Sequence, residues 1–449
     1  MNNISKDFRG SKSVIWERIF SLTPEASWVF VMQIGTGIAG LVGVKVLTNV
    51  LGPSEFGRLA LANTVVMLVS TNFLFGPLGQ GLMRFWSICQ DRGELGTFYV
   101  VSNRYARYVI GISTAIAVAV VAIVVSIKRM DWAVLLTISM ATGIVSGTLG
   151  LRLSVFTAAR RRQRVALLSI SNAIFSPIVA ASLVLLVGPD ASSAMLGYLI
   201  VVSGVVFVAG HFYRGIVSGT EFSSLTTEEN ISDIRKKILS FSWPFLGWGI
   251  FGWIHMSCDR WSLQTFYGAE VVGAFAVVSQ LSIYPLAFGS GFLSTLFMPI
   301  AFQKAGDLTK NRSVVSANRI LTGMTGAYIL GTMLLIGCFV LYHQQLILLI
   351  SNARFVTYSY LLPGLTTAWG LFFFGQVLTQ YGLLANKPQL YIMPKIIASL
   401  VAGVTTFYLS FRMGAIGVVW GLAIAGLVYA IWCIVIAFKV VGANKVSIR

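Results

Sequence analysis

The feature that most constrains this chain is a succession of about twelve apolar blocks, each long enough to cross a lipid bilayer. Their approximate extents are 26–51, 56–80, 105–127, 132–158, 165–187, 194–217, 239–266, 271–300, 314–342, 355–385, 390–410 and 415–438. A helix needs about 20 apolar residues to traverse the hydrocarbon core. A spanning segment must also satisfy its own backbone hydrogen bonds, which selects helices. Of the 449 residues, 56% are hydrophobic and 11% charged, against roughly a quarter charged in soluble domains. The expected fold class is an all-α integral membrane protein.

A net charge of +18 would suggest nucleic acid only if the basic residues formed a patch. Here they sit in short polar gaps between apolar blocks. With both termini placed in the cytoplasm, the cytoplasmic gaps hold about five times as many Lys and Arg residues as the opposite gaps, which is the positive-inside pattern. Residues 1–25 lack the apolar core of a signal peptide. They read as a cytoplasmic tail with an amphipathic stretch near Ile15–Leu22. The cysteines Cys89, Cys258, Cys338 and Cys433 and the histidines His211, His255 and His343 are scattered. Their spacing indicates neither a disulfide framework nor a metal site, so no cofactor or metal is expected.

The longest polar gap divides the chain into a bundle over 26–217, a cytoplasmic linker over 218–238, a second bundle over 239–440 and a short tail over 441–449. The two bundles repeat. "LGPSEFGRLALAN" (51–63) aligns with "YGAEVVGAFAVVS" (267–279), pairing Gly52 with Gly268 and Gly57 with Gly273. Six spans in each half make the repeats parallel, related by an axis along the membrane normal, with a substrate path at their interface.

The stretch "GTGIAG" (35–40) spells the glycine fingerprint of a dinucleotide-binding turn. That fingerprint requires a strand before it and a helix opening at it. Here the flanks form one unbroken apolar run, and Gly43 extends the glycine series. Small residues in such a run let membrane helices approach closely, so helix packing is the expected role.

"LTNVLGPSEFGRLAL" (47–61) resembles the first hairpin of the Wzx-type polysaccharide flippases, a branch of the MATE-like MOP superfamily, through Leu51, Gly52, Pro53, Glu55, Phe56 and Gly57. "AARRRQR" (158–164) and "LLANKPQ" (383–389) are similar to that family's basic loop after span four and its small-residue–Lys–Pro turn after span ten. The second-half copy of the hairpin lacks the proline. The resemblance implies two pseudo-symmetric six-helix bundles around a central cavity. It implies flipping of a polyprenyl-diphosphate-linked oligosaccharide across a bacterial inner membrane, for surface polysaccharide such as O-antigen or exopolysaccharide. The implied partners are that lipid-linked substrate, membrane lipids and other polysaccharide-assembly proteins, with no nucleic acid.

Lys45, Arg152 and Arg260 fall inside apolar blocks. Intramembrane charges face a water-filled cavity or each other. Asp259 and Arg260 map by the repeat within two positions of Lys45. Two readings follow for these charges: Lys45 and Arg260 attract an anionic headgroup while Asp259 balances them or couples an ion, or Lys45 and Asp259 form an inter-bundle pair. His255 and Asp259 stand four apart on one helix face, where they can touch and relay a proton, or simply pair within a packed interior. Arg152 either lines the cytoplasmic half of the cavity or snorkels to the headgroups. Trp248 and Trp253, deep in span seven, are candidates for stacking on sugars, whereas Trp243 and Trp261 sit near its ends as interface residues. Gln33, Asn63, Asn72, Gln280, Gln376 and Gln380 are polar residues available to line the path. Pro177, Pro285 and Pro363 are candidate kinks.

The alternative within transport is a MATE-type cation-coupled drug antiporter, which would want buried carboxylates where this chain carries a basic surplus. A membrane enzyme is not expected, since every outer loop is short and no acid–base constellation stands out.

Overall fold

The computed structural model describes residues 24–218, 228–305, 311–385 and 387–446. The predicted tail amphipathic stretch near Ile15–Leu22 lies outside them. The first lobe comprises α1 (Pro24–Val50), α2 (Pro53–Met67), α3 (Phe75–Asp91), α4 (Leu95–Ser126), α5 (Met130–Ala158), α6 (Arg162–Leu186) and α7 (Ala191–Ser218). A π-helical turn, Leu68–Phe73, joins α2 to α3, so the two form one continuous span, Pro53–Asp91. Helix α8 (Glu228–Ser242) follows, and the second lobe comprises α9 (Pro244–Tyr267), α10 (Ala269–Ala305), α11 (Asn311–Ile350), α12 (Leu362–Leu384), α13 (Ile392–Met413) and α14 (Ala415–Val446). There is no strand among the described residues.

Eleven helices among the described residues are long and apolar enough to cross a membrane. Helix α9 occupies the position of a twelfth, its apolar character diluted by His255, Asp259 and Arg260. The protein is thus a multi-pass membrane protein with six spans in each lobe. The ends of the spans define two faces. The hairpin end carries the turns after α1, α9 and α13, and the terminus end carries the start of α1 and the end of α14.

The repeated turns at the hairpin end are built differently. Gly52 is extended, with φ −71°, and hands over to Pro53 at the first turn of α2. Proline fits there because its missing N–H has no helical partner at that position. In the second lobe Gly268 takes φ +82°, a conformation only glycine adopts without strain. The other residues of the hairpin motif each make a specific contact. Leu51 is buried. The Glu55 carboxylate accepts the Ala191 N–H at 2.9 Å, placing negative charge at the N-terminus of α7. Phe56 packs edge-on against Phe355 of the second lobe, 5.6 Å between centroids.

"GTGIAG" lies within α1 and serves packing. A Cβ on Gly35 would stand 3.0 Å from Ile170, and one on Gly43 would stand 3.1 Å from Pro177, both on α6. Gly40 instead faces Tyr284 of α10. Of the three candidate kinks, Pro177 and Pro285 lie inside helices. Pro363 sits in the first turn of α12 after a 3-10 segment, where it starts a helix and does not bend one.

The region expected as a polar linker over 218–238 contains α8. Its apolar face, Ile231, Ile234 and Ile238, is buried against α3 and α4, while Arg235, Lys236 and Lys237 are exposed. A three-to-four-residue apolar spacing on a charged sequence produces such a helix once a partner surface is present.

The core is asymmetric along the membrane normal. At the hairpin end, Val44, Leu47, Phe56, Leu59 and Val184 of the first lobe join the second lobe in one continuous apolar cluster. Toward the terminus end the first lobe has its own separate cluster, around Phe75, Phe98, Tyr99 and Phe156 with α8. The lobes share one apolar core at the hairpin end, whereas toward the terminus end the buried cluster of the first lobe is separate from it.

Candidate functional site

Two cavities follow from this arrangement. The first, about 450 Å³, lies mid-depth in the first lobe, walled by α1, α2, α5, α6 and α7 and closed by residues of α9 and α10. The second, about 590 Å³, lies between the lobes toward the terminus end, walled by α1, the π turn, α9, α10, α12 and α13. Met67 and Met256 line both and form the wall between them. All six polar residues singled out from the sequence line one or the other: Asn63 and Gln280 the first-lobe cavity, Gln33, Asn72, Gln376 and Gln380 the central one. Phe30 of α1 and Phe292 of α10 meet near Gln33, 5.5 Å between centroids.

Arg260, carried by α9 of the second lobe, reaches into the first-lobe cavity, and its buried Nε has no hydrogen-bond partner. Among the described residues no carboxylate lines that cavity. Asp259 is fully buried outside both cavities, and one of its oxygens accepts the Arg260 backbone N–H at 2.8 Å. Among the described residues the central cavity likewise holds one cation and no carboxylate. That cation is Lys395, whose ammonium sits 4.0 Å from the centroid of the Trp248 ring. Lys395 lies within the apolar block 390–410 but is not among the candidates singled out from the sequence. Its place one turn inside α13, beyond "NKPQLY", was the signal that it belongs to a span.

The remaining candidates do not converge on the cavities. Lys45 donates to the carbonyls of Leu348, at 2.9 Å, and Ser351. It thus caps the C-terminal end of α11, where a cation meets the negative end of the helix dipole. It does not pair with Asp259. Beside it Asn352 donates to the Thr48 carbonyl, so α1 and the α11 terminus exchange hydrogen bonds in both directions across the lobes. Arg152 donates to the Val206 carbonyl of α7 and lies against Gly210, where a Cβ would stand 2.8 Å from its Nη1. It lines neither of these two cavities, and its guanidinium is held on a neighbouring helix.

His255 does not hydrogen-bond Asp259. Its ring stacks on Phe372 at 4.2 Å and 21° and meets Trp369 edge-on at 5.6 Å, an aromatic nest that turns the imidazole away from the carboxylate. Trp253 is committed to the other lobe, its Nε1 donating to the Thr64 carbonyl at 2.7 Å. Trp261, expected at the interface, donates to the Thr64 hydroxyl at 3.0 Å. Two indoles of α9 thus hold one threonine of α2. Just beyond, Gly249 of α9 rests on the Asn72 carbonyl in the π turn, and Asn72 donates to the Met67 carbonyl at 3.0 Å. Trp248 of α9 faces the central cavity, and Trp243, just before that helix, is exposed.

Solved structures share this arrangement of two six-span lobes. A MOP superfamily transporter from Pyrococcus furiosus, described as having a binding pocket of reversed polarity, superposes with a TM-score of 0.63 at 14% identity, covering 94% of this chain and 97% of the other. The lipid II flippase MurJ in an inward closed conformation gives 0.65 at 13% identity, covering 94% and 91%. A multidrug resistance MATE family transporter in an inward-facing conformation gives 0.60 at 13% identity, covering 94% and 95%. No curated protein matches the chain by sequence. Residues 22–303 match the family model described as polysaccharide biosynthesis protein. The chain belongs to the polysaccharide biosynthesis protein family, and its fold is shared with solved MOP superfamily transporters.

Proposed function

We propose that this protein flips a polyprenyl-diphosphate-linked oligosaccharide from the cytoplasmic to the outer leaflet of a bacterial inner membrane, for assembly of a surface polysaccharide. The observation that carries the reading is the pair of cavities, each with one cation, Arg260 or Lys395, and no carboxylate among the described residues of its wall. A glycan diphosphate cannot cross hydrocarbon unaided, because each unsatisfied polar group there costs several kcal/mol. Amides and hydroxyls such as Gln33, Asn72, Gln376 and Gln380 replace water around sugars, and the cations meet the phosphates. A cationic drug would find neither counter-charge in these walls, which weighs against the antiporter reading.

The surplus of basic residues at the terminus end supports a cytoplasmic orientation of that end. The fused hairpin end is then the closed outer gate. Separation of Gly57 from Gly273, of Lys45 from the α11 terminus and of Thr64 from its two indoles would open the outer side, with closure transferred to the cytoplasmic side. The test is a strain lacking the gene. Completed but unpolymerised lipid-linked oligosaccharide should accumulate and surface polymer should be lost, both reversed on restoring the gene. Intact surface polymer with no accumulation would falsify the assignment.

A further inference from the structure

The position of Lys395 goes beyond what a neutral glycan requires, and its consequence rests on the flippase reading above. The ammonium covers the face of Trp248, drawn there by the negative face of the ring. Phe372 and Phe373 line the same cavity, so this is the aromatic side of the chamber. The C–H face of a pyranose packs on just such a ring face. A sugar that stacks on Trp248 must therefore displace Lys395.

The displaced ammonium finds neutral amides and hydroxyls in the wall, such as Gln376 and Gln380, but no counter-charge. Among the described residues no ion pair involves Lys395, and the cavity wall contributes no carboxylate. With a neutral sugar, the cation would lose the ring and gain no counter-charge inside a membrane protein, which is unfavourable. A sugar with an anionic substituent replaces the lost contact with a charge-assisted hydrogen bond. Selectivity arises because the wrong substrate leaves a polar group unpaired. Arg260 sits in the other cavity, beyond Met67 and Met256, so the diphosphate and the anionic sugar do not compete for one cation.

We propose that Trp248 and Lys395 form a specificity site in the central cavity for a sugar bearing an anionic substituent, a carboxylate or a phosphate ester. In the gene-deleted strain the accumulated lipid-linked glycan is isolated and its sugar composition determined by mass spectrometry. The strain is then complemented with wild type, Lys395→Gln or Lys395→Arg at matched membrane protein levels. The expected glycan contains a uronate or a phosphorylated sugar, and the analysis separates the two. Lys395→Gln should leave about tenfold more uncleared glycan than wild type, and Lys395→Arg should clear most of it. A neutral glycan overturns the proposal and leaves flipping intact, as does clearance by Lys395→Gln equal to wild type. Failure of any glycan to accumulate overturns both. If Lys395→Gln does not reach the membrane, the glycan composition alone decides.

Discussion

Gly57 and Gly273 occupy equivalent positions in the two halves of the sequence, and each rests on the carbonyl of the residue that opens the other's helix. A methyl on Gly57 would overlap the Ala269 carbonyl oxygen, and one on Gly273 would overlap that of Pro53. Pro53 and Ala269 are themselves equivalents, so the contact is self-complementary in the way a two-fold interface is. Backbone meets backbone across the lobes at the hairpin end, with no side chain between.

Gly57→Val should hold the hairpin end apart, since no flexible side chain is available to yield. Transport should fall at least about tenfold, by the overpacking cost of roughly 1–3 kcal/mol. In a Cys338→Ala background, a cysteine at Asn63 should become reactive to an impermeant maleimide added outside. Unchanged labelling would show that the glycine pair does not seal the outer gate.

Lys45→Met removes the cation from the end of α11 while keeping the aliphatic stem. The loss should be roughly 1–2 kcal/mol of stability in the closed form, read as a lower melting temperature of the purified protein in detergent. Lys45→Arg should recover most of it. If Lys45 served the substrate alone, Lys45→Met would melt like wild type.

Trp253→Phe and Trp261→Phe each delete one indole donor to Thr64 and keep an aromatic ring. Each should cost about 1 kcal/mol. The hydroxyl-deleting Thr64→Val should make Trp261→Phe nearly silent while leaving the cost of Trp253→Phe, whose acceptor is the Thr64 carbonyl. Equal costs in both backgrounds would dissolve the Trp261–Thr64 bond from the account.

His255→Phe tests the proton relay directly. The ring already stacks in an aromatic nest and makes no hydrogen bond to Asp259, so the larger phenyl ring should lower the amount of folded protein by an overpacking cost of about 1–3 kcal/mol, while transport per molecule in the membrane stays near wild type. A relay would lose its proton carrier and fail outright.

Arg260→Gln should abolish clearance of the lipid-linked substrate, because it removes the cation of the first-lobe cavity. Arg260→Lys should restore it in part, since a point charge replaces a planar fork. Clearance by Arg260→Gln at the wild-type rate would rule out phosphate binding there.

The spans were legible because lipid imposes length and apolarity on each of them. The repeat was legible because the turn glycines recur, and their contact across the lobes explains why Gly57 and Gly273 match while Pro53 and Ala269 do not: the backbone carbonyl is what touches, and any residue supplies one. Lys45 and Asp259 were placed at similar depth, but depth says nothing of rotation about the helix axis. That rotation sends Lys45 to the α11 terminus and buries Asp259 away from both cavities. His255 and Asp259 share a face by spacing, yet aromatic rings on α12 claimed the imidazole. Lys395 was hidden by its nearness to a loop, since a long side chain one turn inside a helix can point toward either solvent or cavity. The π turn left no trace in composition, because any apolar segment accommodates one extra residue.

Helix α8 changes what the connection between the lobes is. It docks on the first lobe through Ile231, Ile234 and Ile238 and runs almost without interruption, from Ser242 to Pro244, into the first span of the second. Mechanically it is a strut, and its docking surface is a non-covalent handle. A chain severed between residues 218 and 228 would leave that handle on the second fragment, so two polypeptides produced together should find each other in the membrane and work as one.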